Sequence, residues 1–110
     1  MKILNISKNV VVADEVLVAE SFEERTRGLM GFNEPVPLFL KTRWGIHTFG
    51  MKFAIDCIVC GEDLEVKTVR ENLLPRKFFF WSPKYENVFE LPAGAILSTG
   101  TQVGDKLKLI

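Results

Sequence analysis

Short apolar runs separated by turn residues recur along the whole chain, which is the pattern of a β-rich domain. Val10-Val11-Val12 and Glu15-Val16-Leu17-Val18 lie either side of Asp14 and predict neighbouring strands or a hairpin. Leu38-Phe39-Leu40 reads as a buried strand. Ala54 to Val59 and Leu64 to Val69 flank Gly61-Glu62-Asp63 and predict a hairpin. In its second arm Leu64, Val66 and Thr68 share one face while Glu65 and Lys67 share the other. Lys77-Phe78-Phe79-Phe80-Trp81, Val88 to Leu91 and Lys106 to Ile110 complete the strand candidates, with Pro83 and Pro92 stopping the first two.

One segment has a different period. Ser21 followed by Glu24 is a capping box, in which each side chain satisfies a free amide of a helix's first turn. Phe22, Arg25 and Leu29 follow at helical spacing, and Gly28 or Gly31 supplies a stop. Pro35 and Pro37 bar a helix beyond it. The predicted fold is a single mainly β (α+β) domain over residues 1–110, a compact sandwich or barrel of about seven to nine short strands with one short helix near residues 21–30.

Composition narrows the function classes. Fourteen basic and fourteen acidic side chains cancel, so there is no general electrostatic footprint for nucleic acid or an anionic membrane. No apolar run approaches the roughly 18 residues of a bilayer span. The opening Met1-Lys2-Ile3-Leu4-Asn5-Ile6-Ser7 lacks the apolar core of a signal peptide, which makes the cytoplasm the expected location. Two cysteines, Cys57 and Cys60, suit a reducing compartment. Their C-x-x-C spacing falls on β-branched, strand-like sequence, where residues three apart face opposite ways. Redox pairing is therefore disfavoured.

Trp44 to Asp56 is the densest chemical stretch, holding the single histidine, His47, with Trp44, Gly45, Phe49, Gly50, Met51 and Phe53. A histidine titrates near neutrality, and a carboxylate such as Asp56 can orient its ring. On a strand His47, Phe49 and Met51 would point the same way. The blander reading makes the aromatics core and His47 a hydrogen-bonded structural residue. One histidine with scattered carboxylates lacks the ligand spacing of a metal centre, and no cofactor is indicated. Glu90 stands out because a carboxylate interrupts the apolar run Val88 to Leu91; if it points inward it needs a partner, with Arg25, Arg27 or His47 the candidates. Arg76 to Tyr85 mixes basic and aromatic residues in the manner of a single-strand stacking platform. Balanced charge, with Glu86 and Glu90 close by, argues against nucleic acid, and three successive Phe suit a core and a covered edge.

Four blocks in order carry a resemblance. Glu24-Arg25-Thr26-Arg27-Gly28-Leu29-Met30, His47-Thr48-Phe49-Gly50-Met51 leading to Ile55-Asp56, Phe89-Glu90-Leu91-Pro92-Ala93-Gly94, and Val103-Gly104-Asp105 together resemble the DUF192 family, also known as UPF0127. The likeness spans about residues 14 to 110. It implies a compact, mainly β domain and carries no activity, cofactor or catalytic residue. Matching positions are Arg25, Gly28, Met30, Met51, Asp56, Glu90, Pro92, Gly94, Gly104 and Asp105. Many members have a Trp-Met block followed by Asn-Thr where this chain has Phe49 to Phe53.

The leading expectation is a binding domain for a small molecule or peptide, with a pocket drawn from Trp44, His47, Met51, Asp56, Trp81 and Glu90. A hydrolase or isomerase using His47 with Asp56 or Glu90 is the alternative, and nucleic-acid binding through Arg76 to Tyr85 a second. An exposed edge strand would allow a homodimer.

Overall fold

The computed structural model describes residues 1–110. Ten strands and two short helices follow in order: β1 (Ile3–Asn5), β2 (Val10–Ala13), β3 (Leu17–Val18), α1 (Phe22–Arg27), β4 (Leu38–Lys41), β5 (Gly45–His47), β6 (Ile55–Cys60), β7 (Val66–Leu73), β8 (Phe78–Phe80), β9 (Asn87–Pro92), α2 (Ala95–Thr99) and β10 (Leu107–Leu109). The mainly β expectation holds, and the sandwich form holds over the closed barrel. A central five-stranded sheet, β3-β4-β9-β6-β7, is flanked by a three-stranded sheet β10-β1-β2 and a two-stranded ribbon β5-β8.

The adjacent strands β6 and β9 of the central sheet are buried on both faces, and their sequences show why. All six residues of β6 and the first five of β9 are buried, as the continuous apolar runs of doubly covered strands require. The pleat then divides them. Ile55, Cys57 and Val59 of β6 join Val88 of β9 in one core with Leu29, Leu40, Met51, Phe79 and Trp81. Ile58 and Cys60 join Phe89 and Leu91 in a second core with Ile3, Val12, Ile96 and Leu107. The two cysteines therefore face opposite sides, as their spacing predicts, and both are free thiols. Burial pushes the Cys60 thiol up to about 12 and Cys57 well above its ordinary value, so neither supplies a thiolate near neutrality.

Several local signals carry through. The Ser21 hydroxyl accepts the Glu24 amide at 3.0 Å and Glu24 Oε1 accepts the Ser21 amide at 2.9 Å, completing the capping box. The β6–β7 hairpin forms around Gly61 to Leu64. The strands around Asp14 behave differently. β2 pairs antiparallel with β1, whereas β3 leaves that sheet and pairs in parallel with β4. Glu15 adopts a φ of +51° at the departure, a turn geometry that carries the chain to the other sheet instead of closing a hairpin. α2 is a second helix, with no side-chain cap of its own.

Candidate functional site

A pocket of about 210 Å³ opens on the ribbon side of the central sheet, between α1 and β5. Its lining comes from three places: Arg25, Thr26, Arg27 and Gly28 on and just after α1; Thr42, Gly45, Ile46, His47 and Met51 around β5; and Glu90 from β9. Glu90 faces this way because it lies two residues from Val88, which packs into the core on the same side. Its neighbours in register are Leu38 on β4 and Cys57 on β6.

Glu90 is almost wholly buried, with 1 % of its surface exposed. Its Oε1 is the one buried side-chain oxygen or nitrogen in the chain without a hydrogen-bond partner. Burial raises its carboxyl to about 7, opposed only by the Leu29 backbone. Neither Arg25, Arg27 nor His47 pairs with it; the ion pairs are Lys2–Asp14, Lys8–Asp105, Arg43–Glu86, Lys67–Glu65 and Lys106–Asp63. The partner anticipated from sequence is therefore absent. α1 approaches Glu90 through a residue with no side chain: the C-cap Gly28, at φ +54° and ψ −131°. An unpaired buried carboxyl costs free energy, and here it sits in a pocket wall.

His47 ends β5 and is exposed. Its Nδ1 accepts the Phe49 amide at 3.2 Å, and its ring lies against those of Phe49 and Phe78. Met51 does not continue the strand face. β5 stops at His47, Gly50 turns at φ +85°, and Met51 goes into the core while still lining the pocket. Trp44, at φ +75° and 67 % exposed, projects into an adjoining hollow of about 530 Å³ with Phe22, Arg25, Lys41, Arg43 and Glu86. Arg25, Thr26 and Thr42 line both hollows.

Asp56 and Trp81 lie elsewhere. Asp56 comes between Ile55 and Cys57, so the pleat turns it away from Glu90 to the other face of the sheet. Its carboxylate accepts the amides of Asn72 at 2.9 Å, Gly94 at 3.1 Å and Ile96 at 2.9 Å, which fixes the start of α2 to the sheet. It lines no part of the pocket. Trp81 packs in the core and donates its indole N–H to the Tyr85 carbonyl at 2.8 Å.

The three phenylalanines divide by strand alternation. Phe79 is core, whereas Phe78 and Phe80 are exposed and stack on each other at 5.6 Å with 13° between ring planes. The reading of all three as core or covered edge is corrected: β8 pairs only with β5, and nothing covers the outer face of that ribbon. No cluster of three or more His, Cys, Asp or Glu side chains gathers anywhere in the chain. Thr42, a shared wall of both hollows, carries no signal in its local sequence.

The family profile of DUF192, described as an uncharacterised ACR, matches residues 3–109. A UPF0127 protein of Pyrococcus horikoshii is 33 % identical over 113 residues, covering 96 % of this chain and 96 % of that protein. Two solved structures share the fold, each with a TM-score of 0.83. One is a protein of unknown function from Novosphingobium aromaticivorans, 19 % identical, with 98 % of this chain and 82 % of that one aligned. The other is a candidate transcription regulator from Sinorhizobium meliloti, 20 % identical, with 97 % and 89 % aligned. No helix is long and apolar enough to cross a membrane.

Proposed function

The chain belongs to the DUF192 family, and we propose that it binds a small polar molecule in the pocket beneath α1, with Glu90 as the buried group that recognises it. The observation that carries this reading is Oε1 of the Glu90 carboxyl: buried, without a hydrogen-bond partner, and in the wall of a pocket. Buried polar groups in folded proteins are satisfied, and a ligand atom is the natural partner for one that the fold leaves open. The pocket is smaller than the 300–1,000 Å³ typical for drug-sized ligands and is mostly polar, so a compact polar molecule fits it.

The test is thermal unfolding of wild type, Glu90→Gln and His47→Ala against a panel of small polar metabolites. A ligand that raises the wild-type melting temperature and loses that effect in Glu90→Gln supports the reading. Ligands that stabilise wild type and Glu90→Gln equally would remove it.

A second reading rests on a different property of the same residue. A carboxyl held near 7 populates both protonation states near neutral pH, as a general acid or base requires, and His47 lines the same pocket. Hydrolase or isomerase chemistry would then use Glu90 with His47, and Asp56 has no part in it. Turnover with a pH profile breaking near 7, abolished in Glu90→Gln, is the signature of that reading.

A further inference from the structure

The polarity of the pocket specifies its ligand more closely. Its floor is Glu90, a carboxyl that gains its charge only at the cost of burial without a cation beside it. Its wall and rim carry two guanidinium groups, Arg25 and Arg27, and neither is paired with a carboxylate. Arg25 makes only a 3.3 Å bond to the Glu20 carbonyl. The site thus offers an unmet acid at depth and unmet cations nearer solvent. Charged groups leave water readily only when paired, and the complement of this arrangement is a molecule with the opposite order of charges.

We propose that the ligand is a small zwitterion of the amino-acid type, its ammonium group against the Glu90 carboxylate and its own carboxylate against Arg25, with Arg27 at the rim. This rests on the binding function proposed above and narrows it. At about 210 Å³ the pocket is below the range of roughly 300–1,000 Å³ for drug-sized ligands, which suits a molecule the size of a small amino acid. Arg presents a planar fork that matches a carboxylate in two hydrogen bonds. A divalent cation is a poorer fit for the floor, because Glu90 is a lone acidic ligand there with no second Asp, Glu, His or Cys cluster to complete a coordination shell.

Binding an ammonium group requires Glu90 to be charged, so ligand and proton compete. Arg25 and Arg27 from α1 and His47 from β5 line the same pocket as Glu90, the Leu29 backbone acts on its carboxyl, and Cys57 of β6 and Leu38 of β4 are its neighbours in register. The Cys57 thiol stays neutral.

Isothermal titration calorimetry tests this at pH 6 and pH 8, each in two buffers of different ionisation enthalpy. The probes are glycine, alanine, serine and β-alanine, each beside its hydroxy acid and the amine lacking the carboxylate. At least one amino acid should bind, with its hydroxy acid and its amine each weaker by tenfold or more. It should release close to one proton per molecule bound at pH 6 and almost none at pH 8. Glu90→Gln, with folding confirmed by its melting temperature, should lose the proton release and at least tenfold in affinity. A hydroxy acid that binds as tightly as its amino acid, binding without proton release at pH 6, or silence from all three probe classes overturns the zwitterion. A neutral metabolite that stabilises wild type but not Glu90→Gln would then uphold the pocket while the zwitterion fails.

Discussion

Gly28 lies directly over Glu90: a Cβ at Gly28 would sit 2.9 Å from Oε1 and 3.2 Å from Oε2 of the carboxyl. The end of α1 is thereby fitted to a buried acid instead of to an apolar side chain. The same glycine adopts φ +54° and ψ −131°, a combination that side chains resist. Two independent reasons thus require glycine at this point.

Gly28→Ala should destabilise the fold by about 1–3 kcal/mol through backbone strain alone, with the clash against Glu90 added. For a domain of this size each kcal/mol lowers the melting temperature by roughly 4–8 °C. Thermal unfolding monitored by circular dichroism measures it. A variant as stable as wild type would show that α1 does not close on Glu90 in this way.

Stability should depend on pH through Glu90 with a definite sign. Its folded-state carboxyl lies at about 7 against an ordinary 4.5, so the folded protein holds a proton that the unfolded chain releases between those values. The contribution is fully present below about pH 4.5 and is lost as pH rises through 7. At roughly 1.4 kcal/mol per pH unit the change amounts to something of order 3 kcal/mol. Glu90→Gln, neutral at every pH, should match wild type near pH 4.5 and exceed it at pH 8. Denaturant unfolding at a series of pH values decides this, and parallel curves for the two proteins would contradict it.

Asp56 and Glu90 are both buried carboxyl-bearing residues on adjacent strands, yet their roles separate. Asp56→Ala leaves the amides of Asn72, Gly94 and Ile96 without their acceptor. The Ile96 amide is buried and the other two are only partly so; a buried unsatisfied donor costs about 1–3 kcal/mol, so a loss of about that size is expected, concentrated at α2. Hydrogen exchange should show the Gly94 and Ile96 amides losing protection. Ligand binding to any partly folded variant should survive, because Asp56 lies on the far side of the sheet.

The phenylalanine run offers a contrast within three residues. Phe79→Ala empties a core position and should cost about 3–5 kcal/mol, while Phe78→Ala and Phe80→Ala remove exposed rings and should each cost less than about 1 kcal/mol. Equal losses at all three positions would mean that the ribbon's outer face is covered.

Much of this layout was legible from residue pattern. The capping box located α1, the turn residues Gly61 to Asp63 located the β6–β7 hairpin, and a carboxylate within Val88 to Leu91 singled out Glu90. Tertiary pairing decided the rest. Strand alternation within β6 and β9 puts Asp56 and Glu90 on opposite faces, but sequence does not say which strands are neighbours or in which register. Nor does it show that β5 ends at His47, which separates His47 and Phe49 at the surface from Met51 in the core. α2 has no cap signal in its own sequence because the side chain that caps it is Asp56, some forty residues away. Trp44 and Trp81 look equivalent as aromatic pocket candidates; only the fold exposes one and buries the other.

An open, ligand-ready acid in the wall of a pocket has a signature of its own in carbon-13 NMR of the Glu90 side-chain carboxyl. Titrated from pH 4 to pH 9, the Glu90 carboxyl should show a midpoint near 7, well above the other carboxyls, and the midpoint should fall when a stabilising amino acid is added. A midpoint in the ordinary range near 4.5, or one near 7 that no small polar molecule moves, would show that Glu90 is not an open acid awaiting a ligand.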